Sequence, residues 1–266
     1  MARMGGRCPG RAPINCPCST ARPVAIVRPV HATDIDMKTI GLIGGMSWES
    51  SAEYYRIVNQ EMKARRGGHC NAQSVMVTVS FEEIKALQHE ARWDELGERM
   101  KSAALQVQAA GADFVLLCTN TMHRVAPVLE AALDIPLLHI VDPTAHALRD
   151  AGVSRVGLLG TAFTMEQDFY RGRMQERHGI EVVVPGAAER ALVHRIIYDE
   201  LCHGIVRDES REAYRRIIDG LRAEGVDGVI LGCTEITLLI SQEDVPIPVF
   251  DTTALHAQAA VSSALL

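Results

Sequence analysis

Residues 115–123 read V-L-L-C-T-N-T-M-H, a short apolar run that ends at Cys118 and hands over to small polar residues before a helix. A second stretch, V-I-L-G-C-T-E over residues 229–235, has the same form. The lead-ins A-G-A-D-F-V-L-L-C-T-N-T from Ala110 and E-G-V-D-G-V-I-L-G-C-T-E from Glu224 align without a gap. Gly111 falls on Gly225, Asp113 on Asp227, Asn120 on Thr234 and Thr121 on Glu235. In this register Thr119, not Cys118, stands opposite Cys233. Two apolar strands ending in matched polar turns predict a duplicated chain with a site between its halves.

Outward from these turns the pattern alternates strand and helix. Thr39 to Ile43 is apolar and stops at Gly44-Gly45, and Ser47 is placed to cap a helix running to about Arg66, ended by Gly67-Gly68. Gln73 to Ser80 reads as a strand, Trp93 onward as a long amphipathic helix behind an irregular acidic lead-in, and Met122 to Leu133 as a helix. Ile135 to Ile140 is expected to be the next strand. The second half repeats the order: R-V-G-L-L-G from Arg155 matches T-I-G-L-I-G from Thr39, with Gly157 on Gly41 and Gly160 on Gly44. A helix from Thr164 to His178, a strand at Glu181 to Val184, helices at Glu189 to His203 and Ser210 to Glu224, and I-P-V-F from Ile247 complete it.

The expected fold is α/β: two similar lobes related by a pseudo-two-fold, each a mostly parallel four-stranded sheet flanked by helices. The first lobe takes residues 37–145 plus 250–266 and the second 146–249. Ligands of such sheets bind beyond the carboxyl ends of the strands, where both polar turns lie.

Composition narrows the class. The 266 residues are 47% hydrophobic and 23% charged with a formal net charge of −6, a soluble globular balance without the basic excess of a nucleic-acid binder. No apolar run approaches the roughly eighteen residues of a membrane-spanning helix. Seven cysteines, odd in number and without a metal-like pair (Cys16-Pro17-Cys18 is too tight for a zinc hairpin), read as reduced thiols of a cytoplasmic protein. Residues 1–36 hold three cysteines, five prolines and five arginines, and no acidic residue before Asp34. They are expected to be a disordered extension, or translation from a start codon upstream of the true one.

The turn Gly41-x-x-Gly44-Gly45 lacks both the dinucleotide and the P-loop spacing, so it reads as a tight strand-to-helix turn with Met46 at its tip. Cys233 follows a strand end and should sit at a helix N-terminus, where dipole and free amides favour thiolate. Cys118 should turn away from the cleft if Thr119 faces it, because successive strand side chains point to opposite faces. Thr119, Asn120 and Thr121 offer hydroxyls, an amide and backbone donors as a carboxylate cradle. His123 reads as structural or solvent-facing, and Gln88 either folds over the cleft or is surface. His139, His146 and His256 lack ligand-spaced partners, so no metal is expected. Cys70 and Cys202 receive no role.

On I-G-L-I-G-G-M-S-W-E-S from Ile40, L-C-T-N-T-M-H from Leu117, Q-D-F-Y-R-G-R from Gln167 and G-C-T-E from Gly232, the chain resembles the aspartate/glutamate racemase family over residues 37–266. The resemblance implies two α/β domains with the active site between them, no cofactor, a small amino acid as partner, and a homodimer. It implies Cys233 as one catalytic residue and Met46, Gln88, Asn120, Thr121, Thr234 and Glu235 as substrate contacts. The family's first catalytic cysteine precedes the Asn-Thr pair, and that position here is Thr119. The pair Thr119/Cys233 resembles a subgroup acting on L-aspartate or L-glutamate, with unequal rates expected in the two directions. A malonate-type decarboxylase with one active cysteine and a non-catalytic binder of acidic amino acids are the competing readings. Arg92, Arg171 and Arg173 are candidates to clamp a second carboxylate.

Overall fold

The structure, a computed structural model, describes residues 37–266, and the expectation for residues 1–36 lies outside them. Strands β1 (Ile40–Gly44), β2 (Ser74–Thr78) and β3 (Phe114–Leu117) form one parallel sheet in the order β2-β1-β3. Strands β4 (Arg155–Gly160), β5 (Glu181–Val183), β6 (Val229–Gly232) and β7 (Val249–Asp251) form a second, in the order β5-β4-β6-β7. β1 and β3 are buried along their whole length, as is β6, which is why they read as unbroken apolar runs.

Strand pairing reproduces the internal alignment. Gly41 lies beside Val115 in the first sheet and Gly157 beside Val229 in the second. Ile43–Leu117 and Leu159–Leu231 follow in the same register. The residue two places beyond each of these strand positions is Thr119 in one half and Cys233 in the other.

Helices cover both sheets. α1 (Trp48–Arg66) opens on Ser47, whose hydroxyl accepts from Ser50 N, and closes at Gly67. The turn before it needs glycine. Gly45 has φ +91°, and a Cβ there would collide with the Val79 carbonyl oxygen. α3 (Trp93–Ala109, following the short α2, Phe81–His89) and α4 (Ala126–Ala132) pack on the other face of the first sheet. Around the second sheet lie α5 (Val141–Asp150), α6 (Ala162–Glu166), α7 (Asp168–His178), α8 (Ala187–Asp199) and α9 (Asp208–Ala223). α10 (Thr252–Ala264) leaves β7 with Asp251 as its cap and crosses to α1. Its Ala257, Ala260 and Ala264 pack with Tyr54, Val58 and Met62, small side chains that let the two helices approach closely.

Four expectations are corrected. Ile135 to Ile140 is not a strand, so the first sheet has three strands rather than four. Only Leu137 bridges Val115, and the Ile140 amide is taken by His123 Nε2 at 3.2 Å instead of a strand neighbour. The lead-in to α3 is not irregular. Phe81–His89 forms helix α2, which buries Ile84 and Gln88 four residues apart on one face. The expected helix over Thr164–His178 is broken by Gln167 in extended conformation, giving α6 and α7. The expected helix over Met122–Leu133 starts as a 3-10 turn at Thr121–Val125 and becomes α4, with Pro127 in its first turn. No described helix is long and apolar enough to cross a membrane.

Candidate active site

The ends of β3 and β6 open into one cleft of about 440 Å³ counting its mouth. The β3 turn contributes Thr119, Asn120 and Thr121, and the β6 turn contributes Cys233, Thr234 and Glu235. Met46, from the turn after β1, and Gln88, from α2, complete the set of catalytic and substrate-contact residues that the resemblance implied, all of which line this one space. Cys118 does not. It is fully buried under α1 and α10, and burial pushes its thiol far up.

The β6 side is a hydrogen-bonded cluster tied across the cleft to α1. The Cys233 thiol donates to Glu235 Oε2 at 2.9 Å, and Ser47 Oγ donates to Glu235 Oε1 at 2.9 Å. Ser50 Oγ reaches Thr234 Oγ1 at 2.8 Å and Glu235 Oε1 at 3.4 Å. Burial first, and then the Glu235 carboxylate, hold the Cys233 thiol well above its ordinary pKa. Sequence suggested a helix-end thiolate. The helix is only the five-residue 3-10 turn Thr234–Leu238, and desolvation with an adjacent carboxylate outweighs its dipole, so the resting sulfur is a thiol.

The β3 side is built differently. Asn120 Nδ2 donates to Thr252 Oγ1 at 3.0 Å, and Asn120 Oδ1 is buried without a partner among the described residues. A buried amide oxygen of this kind can accept the N–H of a ligand. Thr121 belongs to a hydroxyl triangle with Thr161 and Thr164, 3.1 and 3.4 Å away. Thr119 is half-buried, and among the described residues no side chain hydrogen-bonds its hydroxyl.

His123 is not solvent-facing. It is 1% exposed and stacks edge-on with His139 and His256, ring centroids 4.5 and 5.8 Å away. Burial is the main cause that lowers all three, His139 to about 2, His256 to about 4 and His123 well below the usual imidazole value. They are therefore neutral in the native protein but protonate near pH 6.5 when unfolded. Since the unfolded state binds more protons below that pH, stability is complete above about 6.5 and falls as pH drops toward 4, each histidine contributing up to about 1.4 kcal/mol per pH unit. Thermal unfolding between pH 7.5 and 4.5 should show this slope, and His256→Gln should flatten it. An unchanged slope would mean that His256 does not contribute to it.

The three arginines proposed as clamps stand elsewhere. Arg92 pairs with Glu90 and Glu95, Arg171 with Asp168, and Arg173 with Asp142. None of them lines the cleft. Sequence reasoning passed over Ser50, Phe81, Thr161, Tyr198 and Cys202, which do line it. Burial pushes the Cys202 thiol up to about 12. Tyr198, Phe81 and Cys202 also border a second groove, where Lys85 lies 5.7 Å from the centre of the Tyr198 ring. Only helix α2, unseen in the sequence, could have brought Lys85 into view.

Residues 43–260 match the family model described as Asp/Glu/Hydantoin racemase. A structure from Yersinia pestis, assigned to the Asp/Glu racemases, is 53% identical and superimposes with a TM-score of 0.82 over 86% of this chain and all of that one (100%). A structure of an aspartate racemase homologue from Pyrococcus horikoshii OT3 is 33% identical, with TM-score 0.75 over 86% of this chain and 99% of that one. The broad specificity amino-acid racemase RacX of Bacillus subtilis (strain 168) is 25% identical over 175 residues, 65% of this chain and 74% of that protein. With two parallel sheets feeding one polar cleft and the family model spanning both, the chain belongs to the Asp/Glu/Hydantoin racemase family and is an isomerase.

Proposed function

We propose that the protein interconverts the enantiomers of aspartate or glutamate by two-base proton transfer at Cα, with Cys233 and Thr119 serving opposite faces. The observation that carries this reading is that turns from two different sheets place these two residues on the walls of one cleft. In one direction Glu235 takes the Cys233 proton, and the thiolate removes the Cα proton. The charge that develops on the substrate carboxylate meets hydroxyl and backbone donors of the two turns. Thr119 delivers its proton to the opposite face of the planar carbanion and recovers one from solvent, while Glu235 returns its proton to solvent. The other direction reverses each step. Asn120 Oδ1, an acceptor with no donor among the described residues, suits the substrate ammonium, which a malonate lacks. Lys85, beside the Tyr198 ring that lines both the cleft and the second groove, offers a cation to a second carboxylate and supports an acidic side chain.

The two enantiomers are equal in free energy, so kcat/KM must be equal in the two directions. The unequal chemistry of a thiol and an alcohol therefore shows in kcat and KM separately, and in isotope effects. Proton NMR in D2O with L- and D-aspartate and L- and D-glutamate tests the reading: the Cα signal of an accepted enantiomer should vanish as its mirror image forms. Thr119→Ala should lower kcat/KM by about 10²-fold, because a water can partly replace a weak hydroxyl acid. Carbon dioxide release from a malonate, or binding without Cα exchange, would overturn it.

A further inference from the structure

Thr119 is the weaker of the two proton-transfer groups, and the structure holds its turn by a means that, among the described residues, the cysteine side lacks. The Ile140 amide donates to His123 Nε2 at 3.2 Å, so this nitrogen is the acceptor of the neutral ring. The ring proton therefore sits on Nδ1, which donates to the Thr119 carbonyl oxygen at 2.8 Å. His139 and His256 enclose the ring, and His256 is itself fixed between the Tyr54 hydroxyl and the Leu138 carbonyl, each 2.8 Å away. In the internal alignment the counterpart of His123 is Thr237, whose hydroxyl bonds the Thr234 carbonyl instead. The Cys233 carbonyl accepts a backbone amide, from Ile236 at 3.1 Å, and among the described residues no side chain bonds it.

We propose that His123 is a positioning residue for Thr119: through the Nδ1–H bond to its carbonyl it fixes the turn so that the hydroxyl stands at the substrate Cα. This rests on the racemase reading above. A hydroxyl has little driving force as an acid or base, so its step depends steeply on distance and angle, and small displacements slow it strongly. A thiol backed by a carboxylate tolerates more, and its turn carries no such clamp.

The test measures kcat/KM and the Cα-deuterium isotope effect from each enantiomer separately, for wild type, His123→Ala, His123→Asn and His123→Gln. Asn keeps a donor where Nδ1 stands, whereas Gln keeps an acceptor nearer Nε2. His123→Ala should lower kcat/KM about tenfold. Its isotope effect should rise for the enantiomer deprotonated by Thr119 and fall for the one deprotonated by Cys233. His123→Asn should restore both quantities toward wild type, and His123→Gln should not. A general loosening of the fold would move the two isotope effects alike, and that result overturns the proposal, as does wild-type behaviour of His123→Ala. If His123→Ala does not fold, the order of Asn against Gln decides: equal activity of the two, or Gln above Asn, overturns it. Failure of the wild type to racemise any of the four substrates would instead remove the function on which the proposal rests.

Discussion

Cys233→Ala is expected to reduce racemisation from either enantiomer by about 10⁴-fold, the upper range for a positioned acid–base group. The loss must appear in both directions, since the sulfur is the base in one and the acid in the other. Unlike Thr119, the thiol has no ready substitute. A water in its place would lie against Glu235, but it is far less acidic than a thiol and would form no comparable base. The fold should survive. Among the described residues Cys233 gives a single side-chain hydrogen bond, to Glu235, and the carboxylate keeps its bonds from Ser47 and Ser50. Steady-state rates from both enantiomers, with a thermal unfolding curve, check the prediction. Loss in one direction only would contradict equal free energies and point to an impure assay, whereas retained activity would remove Cys233 from the mechanism.

Glu235→Gln is expected to lower kcat/KM by about 10³-fold while making the Cys233 thiol more acidic. These effects have opposite signs for a plain thiolate mechanism, which is what makes the variant informative. Burial is the largest cause of the raised thiol pKa and the Glu235 charge the next, so neutralising position 235 brings the thiol part of the way down. Alkylation of Cys233 by iodoacetamide at pH 9, followed on the peptide that carries it, should therefore accelerate. Racemisation should nevertheless fall, because the amide cannot take the proton that the thiol must give up before each abstraction. If racemisation rose together with alkylation, Glu235 would be a restraint on Cys233 rather than its proton acceptor.

The arrangement of strands and turns was legible because it is local and repeated. β1, β3, β4 and β6 are buried apolar runs, and the two halves check one another. The shared register of Gly41–Val115 and Gly157–Val229 is the structural form of the alignment that separated Thr119 from Cys118. What escaped was set by long-range contacts. Ile135–Ile140 has strand composition, yet His123 competes for its last amide and the chain turns into α5 instead. Helix α2 was hidden by its acidic surface, although Phe81, Ile84 and Gln88 share a face. His123, His139 and His256 come from three segments that no spacing rule links. The protonation of Cys233 was misread because the helix-end argument counts a dipole and omits burial and the Glu235 carboxylate.

Central to this account is the division of labour between two faces of Cα, and the isotopic content of both enantiomers at low conversion in D2O tests it most directly. Starting from one pure enantiomer, two separate bases should give product carrying deuterium at Cα while the recovered starting enantiomer stays almost fully protiated. Deuterium appearing in the recovered enantiomer as fast as in the product would mean that one group serves both faces, and the assignment of Thr119 opposite Cys233 would be wrong.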